Sequence, residues 1–227
     1  MKRLTMAILI GLLVCSSTIL AEARSERGSY YNQNTEIKRI DNNTLELAID
    51  FTNTTNKPIN NVILMLKVTD TNRIRHEHGF LFLGQLKPNV RKSYRVRIDA
   101  PYKYDDYYIF PRVLQNDDFQ LEEGAVYPVN YFNQYIEADV KDIYEKNGLG
   151  YFSGSLTNIS SIPIKKLHFD LLYLDSQKNP IDTRYLQWTS LNVGETKPYR
   201  FGRVLPKSFD SADWRFFPIE PGYGAAE

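Results

Sequence analysis

One eight-residue motif occurs twice in the chain, first as Thr52–Ile59 (TNTTNKPI) and again as Thr157–Ile164 (TNISSIPI). The two copies lie 105 residues apart, and the same offset relates many residues that follow them. These pairs include Val62 with Leu167, Leu64 with Phe169, Leu66 with Leu171, Val68 with Tyr173, Asp70 with Asp175, Leu86 with Leu191, Tyr94 with Tyr199, and Pro101 with Pro206. One register that holds over so many pairs indicates an internal duplication.

Two further resemblances extend the repeat to its ends. Upstream, Ile37–Ile40 resembles Val140–Ile143 at an offset of 103, which predicts a loop longer by two residues in the second copy. Downstream, the dipeptide Phe110–Pro111 resembles Phe217–Pro218.

Each copy has the pattern of β-strands. Apolar residues alternate with other residues at period two in Val62–Val68 and in Leu167–Tyr173. The additional apolar residues Leu172 and Leu174 indicate a strand that is covered on both faces. No stretch has a helical stripe, and short helical turns are predicted at Gln33–Asn34 and Phe132–Gln134.

The predicted fold class is all-β, with two tandem immunoglobulin-like β-sandwich domains that arose by internal duplication and follow a cleaved signal peptide. The predicted boundaries are a signal peptide at 1–23, a first domain at 24–115, a connecting segment at 116–133 and a second domain at 134–227. Polar residues in the region between Gln115 and Asn133 support this division.

The N-terminus has the three parts of an export signal. A short basic start, Met1–Arg3, precedes an apolar run over Leu4–Val14, and Ala21–Ala23 has the small–x–small pattern of a cleavage site. The predicted mature chain begins near Arg24 and carries 26 basic and 26 acidic side chains. This balance argues against a protein that coats nucleic acid. An uncleaved membrane anchor is an alternative interpretation.

The only cysteine is Cys15, inside the predicted signal peptide. The predicted mature chain therefore has no disulfide and no thiolate nucleophile, which fits a bacterial envelope better than a small eukaryotic secreted domain. Lipidation of Cys15 is a second alternative, but Val14 precedes it where lipoprotein signals have a small residue.

The order of these patterns resembles the FxLYD and CARDB group of bacterial immunoglobulin-like modules. The residues that carry the resemblance are Phe169–Asp175 and Leu191–Glu195 in the second copy, and Leu64–Asp70 and Leu86–Asn89 in the first. An extra residue separates Tyr173 from Asp175, so the match to the family motif is not literal. The resemblance implies a binding or spacer module outside the cytoplasm, with no catalytic residues to transfer.

The three histidines give little support for a metal site. His76 and His78 have the alternate spacing that directs two side chains to one face of a strand. Two ligands fall short of the usual zinc or copper set, so no metal site is predicted. His168 lies between Leu167 and Phe169 and is expected to face outward.

Motifs for nucleophilic catalysis and for cofactor binding are absent from the sequence. There is no Gly-x-Ser-x-Gly motif, and Gly148–Gly150 lacks the Lys-Ser/Thr of a phosphate-binding loop. The paired acids, such as Asp105–Asp106, lack the ordered spacing of a calcium loop. The sequence therefore predicts no catalytic residue, no cofactor and no metal.

Tyrosines are the most suggestive feature, because exposed tyrosines recur at binding surfaces. The alternative is structural, since tyrosine is favoured in strands and at junctions between domains. The charged segments Lys92–Arg97 and Lys197–Arg200 are predicted to be sheet edges. The candidate interaction surface consists of Tyr94, Tyr102, Tyr104, Tyr107, Tyr108 and Tyr199.

The predicted function is that of an exported, non-enzymatic adaptor that binds another envelope or secreted protein, located in the periplasm or outside the cell. The alternative is a glycan- or peptidoglycan-binding module that uses the tyrosine-rich surfaces. An enzyme is the third hypothesis. No nucleic-acid partner is expected, nor a transmembrane segment in the mature chain.

Overall fold

The computed structural model describes residues 22–28, 30–115, 119–146, 149–178 and 180–218. Residues 1–21, which include most of the predicted signal peptide, lie outside the described residues. The strands are β1 (Glu22–Arg27), β2 (Tyr31–Arg39), β3 (Thr44–Asn53), β4 (Ile59–Asp70), β5 (Arg75–Leu86), β6 (Arg91–Asp99), β7 (Tyr104–Val113), β8 (Val126–Tyr127), β9 (Ile136–Lys146), β10 (Leu149–Asn158), β11 (Ile164–Leu174), β12 (Pro180–Leu191), β13 (Thr196–Val204) and β14 (Ser211–Pro218).

Within the described residues, these strands form four antiparallel sheets. The order is β1-β2-β3-β6 and β7-β4-β5-β8 in the first half of the chain, and β13-β10-β9 and β12-β11-β14 in the second. The predicted all-β sandwich fold is therefore confirmed. Among the residues described, no helix has the length and apolar character needed to cross a membrane.

Each half buries its own apolar layer between two sheets. In the first half, Leu47 of β3 and Leu64 of β4 belong to one buried cluster, which joins the two four-stranded sheets. In the second half, Phe152 of β10 and Phe169 of β11 do the same for the three-stranded sheets. The strands form because alternate apolar side chains can enter these layers while the intervening residues face away.

The repeated Thr-Asn motif forms the same hydrogen bonds in both copies. Asn53 Nδ2 donates to the carbonyls of Lys57 and Leu86 at 2.7 and 3.0 Å. Asn158 Nδ2 donates to the carbonyls of Ile162 and Leu191 at 2.8 and 2.9 Å. Both asparagines are fully buried, so each motif closes its turn from inside the protein.

At the downstream end, strand pairing shows that the offset of 105 continues into β7 and β14. In β7 and β14, Arg112 pairs with Ile63 and Phe217 pairs with His168, so Phe217 is the counterpart of Arg112. The matching of Phe110–Pro111 with Phe217–Pro218 is therefore wrong by two residues.

The predicted offset of 103 near Ile37 is also wrong. Ile37 pairs with Leu47, whereas Ile143 pairs with Phe152, the counterpart of Leu47, so Ile37 corresponds to Ile143. The second copy gains one residue at this point through a β-bulge opposite Ser153 and Gly154, where Lys141 is the extra residue.

The two halves contact each other through sheets β7-β4-β5-β8 and β12-β11-β14. Arg112 Nη1 lies 3.1 Å from His168 Nδ1, and Arg215 of β14 forms an ion pair with Glu77 of β5. The alternation predicts an outward-facing His168, and this is wrong, because the first half covers that face and leaves His168 only 4% exposed. The expected strand covered on both faces is β11.

The segment between the halves contributes to this contact. Phe119 and Phe132 are buried in the cluster of the second half, and β8 pairs with β5. A 3-10 helix at Tyr131–Tyr135 confirms the helical turn predicted at Phe132–Gln134, whereas Gln33–Asn34 lies within β2. The boundaries at 115 and 133 stay a prediction.

Candidate binding edge

The predicted tyrosine surface is spread over three sheets. Tyr94 lies on β6, Tyr104, Tyr107 and Tyr108 lie on β7, and Tyr199 lies on β13. Tyr107 and Tyr199 are buried, so neither ring is available as a contact surface. The structure therefore does not bring the six tyrosines together.

The remaining tyrosines are engaged to different degrees. Tyr94 Oη donates to Glu123 Oε1 at 3.0 Å, and its burial raises the pKa of the phenol. Tyr104 packs against the first apolar cluster. Tyr108 is 44% exposed, and its ring stacks on Phe110. Tyr108 is thus the most accessible of the predicted set.

His76, His78 and Tyr102 form one contact group. The His76 ring stacks on Tyr102 with centroids 3.9 Å apart, and His78 Nε2 lies 2.6 Å from Tyr102 Oη. His76 Nε2 lies 3.0 Å from Asp70 Oδ2. Burial lowers the pKa of His78 to about 4 and raises that of Tyr102 to about 12. Within the described part of the chain, no group of three potential metal ligands occurs.

A different feature, the free edge of β9, distinguishes the second half from the first. β9 is the last strand of sheet β13-β10-β9. Its counterpart β2 pairs with β3 on one side and with β1 on the other. Each strand edge presents N–H and C=O groups that can pair with another strand. In the first half, β1 covers the edge of β2. In the second half, no strand among the described residues pairs with the equivalent edge of β9.

Equivalent residues of β2 and β9 differ in how far their side chains are exposed. Ile37 is fully buried, whereas its counterpart Ile143 is 44% exposed. Thr35, which pairs with Ile49, is 2% exposed, whereas Val140, which pairs with the counterpart Gly154, is 39% exposed. The second half therefore has apolar side chains at the two positions where its edge lies open.

β1 closes the first half with a side chain as well as with its backbone. Arg24 Nη1 donates to the carbonyl of Tyr107 at 2.7 Å, and Arg24 Nη2 contacts Asp106 Oδ1 at 2.5 Å. The guanidinium also lies 4.7 Å from the centre of the Tyr107 ring. The hydrogen bond to Asp106 raises the pKa of Arg24. A chain cleaved after Ala23 keeps Arg24 and the remainder of β1.

The edge of β9 carries exposed charges and a bulge. Glu137 and Asp139 are exposed on β9, and so are Lys141 and Glu145. Charges and bulges at an edge discourage indiscriminate pairing between strands. The predicted edges at Lys92–Arg97 and Lys197–Arg200 do belong to end strands, β6 and β13. No comparable pattern marks β9 in the sequence, because the extra residue Lys141 interrupts the period of two.

Comparisons with known proteins do not assign this chain to a family. No family model matches the sequence, and no curated protein matches it. Among solved structures, the chain is similar to an Amycolatopsis orientalis exo-chitosanase in complex with PNP-beta-D-glucosamine (14% identity, TM-score 0.25, 75% of this chain and 23% of that chain). It therefore spans less than a quarter of that chain. It is also similar to the C-terminal globular domain of a Pyrococcus abyssi oligosaccharyltransferase (10%, TM-score 0.23, 79% and 43%). A third similar structure is the N-terminal tandem CBM22 domain from Paenibacillus barcinonensis (12%, TM-score 0.14, 88% and 83%).

Proposed function

We propose that this protein is an exported, non-catalytic binding protein that accepts an extended segment of another envelope protein on the open edge of β9. The observation that carries the proposal is the contrast between the covered edge of β2 and the open edge of β9. The signal pattern over Met1–Ala23 supports export to the periplasm or the cell exterior.

The first half serves as a template for the bound state. There, β1 lies antiparallel to β2, and Arg24, which the mature chain keeps, lies opposite Thr35. A partner segment that pairs antiparallel with β9 would lie opposite Val140 in the same way and would continue along β9 past Ile143. Main-chain hydrogen bonds then supply affinity, and alternate side chains supply specificity, as in other cases of strand addition.

The residues of β9 indicate the chemistry of the partner segment. Ala138, Val140 and Ile143 pair with the buried β10 residues Leu156, Gly154 and Phe152, so the partner needs apolar side chains on that face. The exposed carboxylates Glu137 and Asp139 alternate with these positions and favour basic side chains on the opposite face. A strand that alternates apolar and basic residues satisfies both faces.

The absence of other cysteines makes a site-specific test possible. The only cysteine is Cys15, so Val140→Cys can be labelled with a photoactivatable benzophenone and irradiated in intact cells. We expect crosslinks from Val140→Cys to one extended segment of one envelope protein, mapped by mass spectrometry. Val193→Cys is the matched control, since Val193 is an exposed valine outside β9.

A second variant tests whether the edge itself binds the partner. Ile143→Lys places a charge on the open edge, and we expect capture of the same segment to fall by about tenfold, the equivalent of 1.4 kcal/mol. Val193→Lys should leave capture unchanged. The proposal is wrong if Val140→Cys and Val193→Cys yield the same crosslinked proteins. It is also wrong if labelled Val140→Cys captures as much of the segment with Ile143→Lys added as without it.

A further inference from the structure

A second distinctive feature of the second half lies on the outer face of sheet β13-β10-β9. Tyr144, Tyr151 and Gly202 lie directly opposite one another on the three strands. The two rings stack with centroids 5.1 Å apart and planes 12° from parallel. Tyr144 is 43% exposed, and Arg200 Nη2 lies 3.3 Å from its hydroxyl. The row thus presents aromatic surface to solvent in a fixed orientation.

The glycine contributes to this surface by its lack of a side chain. A Cβ atom at Gly202 would lie 3.1 Å from Tyr151 Cε1, so the Tyr151 ring approaches the backbone there more closely than it could approach another residue. The Tyr151 ring therefore lies close to the β13 backbone, and the Tyr144 ring of β9 stacks on it and is the more exposed of the two.

The first half shows that the sandwich does not require this aromatic row. Its equivalent row consists of Lys38, Glu46 and Arg97, which pair in the same register on β2, β3 and β6. Arg97 Nε lies 3.2 Å from Glu46 Oε2, so this row is a charged, solvated surface. The ion-paired row of the first half and the aromatic row of the second half are at equivalent positions in the fold. The difference is therefore one of surface chemistry.

The groups beside the aromatic row are polar. Ser153 and Arg200 lie opposite one another in the next row, Ser155 lies in the row beyond, and Thr157 and Thr196 share a hydrogen bond of 2.9 Å. Hydroxyl and guanidinium groups next to stacked rings can bind the hydrogen-bonding edge of a flat, amphipathic ligand while its face lies on the rings.

The area of the row argues against a protein as its ligand. Tyr144 is 43% exposed and Tyr151 is partly buried, so the two rings together offer about 150 Å² of apolar surface. A stable protein interface needs about 800 Å² from each partner. A sugar ring, by contrast, is matched in size by one or two tyrosine rings, and its hydroxyls suit the polar neighbours.

We propose that Tyr144, Tyr151 and Gly202 form a platform on which a pyranose ring of a neutral polysaccharide stacks. Arg200 and Ser153 lie where they can bind the hydroxyls at the edge of that ring. The cation Arg200 beside the rings and the exposed carboxylates of Glu137 and Asp139 further along β9 offset one another, which suits a neutral polysaccharide. This site uses different groups from the open β9 edge, because Ile143 and Tyr144 are consecutive residues whose side chains lie on opposite faces of the sheet.

The test is sedimentation of the purified mature chain with insoluble chitin and with cellulose, from which binding isotherms are obtained. We expect the wild type to sediment with at least one of them and not with acidic polygalacturonate gel. Tyr144→Leu and Tyr151→Leu should each weaken binding by about tenfold, since leucine keeps an apolar side chain but removes the flat ring. Tyr108→Leu, at a similarly exposed tyrosine of the first half, should have no effect.

Three outcomes would overturn the proposal. They are failure of the wild type to bind either neutral polymer, preference for polygalacturonate, and equal binding by wild type and Tyr144→Leu. Melting temperatures of the variants identify any loss of folding. Gly202→Arg is a second variant that changes the aromatic row, and the fold accepts arginine at the equivalent position of the first half, Arg97. Ile143→Lys should retain sugar binding, which separates this site from the proposed protein-binding edge.

Discussion

At the scale of single residues, Asn53 and Asn158 stabilise the protein in the same way. Each side chain satisfies two buried carbonyls with its amide nitrogen, and its oxygen accepts from the residue two positions later, Thr55 or Ser160. Replacement by alanine leaves buried polar groups without partners. We expect Asn158→Ala to lower the free energy of unfolding by about 3 kcal/mol, measured by urea denaturation.

The loop of the first copy supplies the control for this prediction. Asn53→Ala should destabilise by a similar amount, whereas Asn56→Ala, at an exposed position of the same loop, should change the free energy of unfolding by less than about 0.5 kcal/mol. A loss at Asn56 as large as the loss at Asn53 would show that the effect belongs to the loop and not to the buried amide.

At the scale of elements, the bulge of β9 depends on Gly154. A Cβ atom at this position would lie 1.9 Å from the carbonyl oxygen of Asp139 and 2.6 Å from the Tyr199 hydroxyl. The Asp139 carbonyl belongs to the backbone of the neighbouring strand, so it cannot move away from the added Cβ as a flexible side chain could. We therefore expect Gly154→Ala to cost about 2–3 kcal/mol in thermal unfolding experiments.

The next residue of β10 provides the comparison. Ser155 lies on the outer face, and Ser155→Ala should leave the stability nearly unchanged. If Gly154→Ala melts at the wild-type temperature, β9 and β10 are further apart in solution than the bulge requires, and the register of the open edge must differ from that described.

The elements also show how far the sequence predicts the fold and the candidate site. The duplication and the alternation in β4 and β11 predict the sandwiches, because period two and buried layers are two aspects of one geometry. The edge of β9 is different. Its extra residue Lys141 disrupts both the period and the alignment of Ile143 with Ile37, so the contrast between the two edges becomes visible only through strand pairing.

His168 illustrates a second limit of sequence reasoning. Alternation places it on the face opposite Phe169, but alternation cannot show that another sheet covers that face. One feature of the sequence does indicate burial of this face, because the counterpart of His168 in the first copy is the apolar residue Ile63. The aromatic row is a further case, because Tyr144, Tyr151 and Gly202 come together only when three strands are placed in register.

At the scale of the whole molecule, the halves pack through equivalent surfaces. Arg112 and Phe217 occupy corresponding positions of β7 and β14, and the guanidinium lies 5.3 Å from the centre of the Phe217 ring. Contact between equivalent positions is the mark of two-fold packing, as in a symmetric dimer. The residues have since diverged, so that the contact now pairs a cation with an aromatic ring.

Divergence has also placed a titratable side chain in this contact. His168 is surrounded by Arg112 from β7 and Lys67 from β4, and by Lys166 and Asp170 from its own strand. Burial and the three cations lower the pKa of His168 to about 3, although Asp170 Oδ1 lies 3.7 Å from its Nε2. The histidine is therefore neutral in the folded protein at neutral pH.

This shift makes the contact between the halves sensitive to acid. The unfolded chain binds a proton at His168 near pH 6.5, whereas the folded chain does so only near pH 3, so stability falls as the pH drops through this range. Between pH 6.5 and 4.5 we expect a loss of about 2 kcal/mol from this residue. His168→Gln keeps an acceptor for Arg112 but does not titrate, so its urea-unfolding free energy should fall by about 2 kcal/mol less than that of the wild type over the same interval. Parallel pH profiles for the two proteins would mean that His168 is accessible to protons in the folded state, and that the two halves separate more readily than their buried charges indicate.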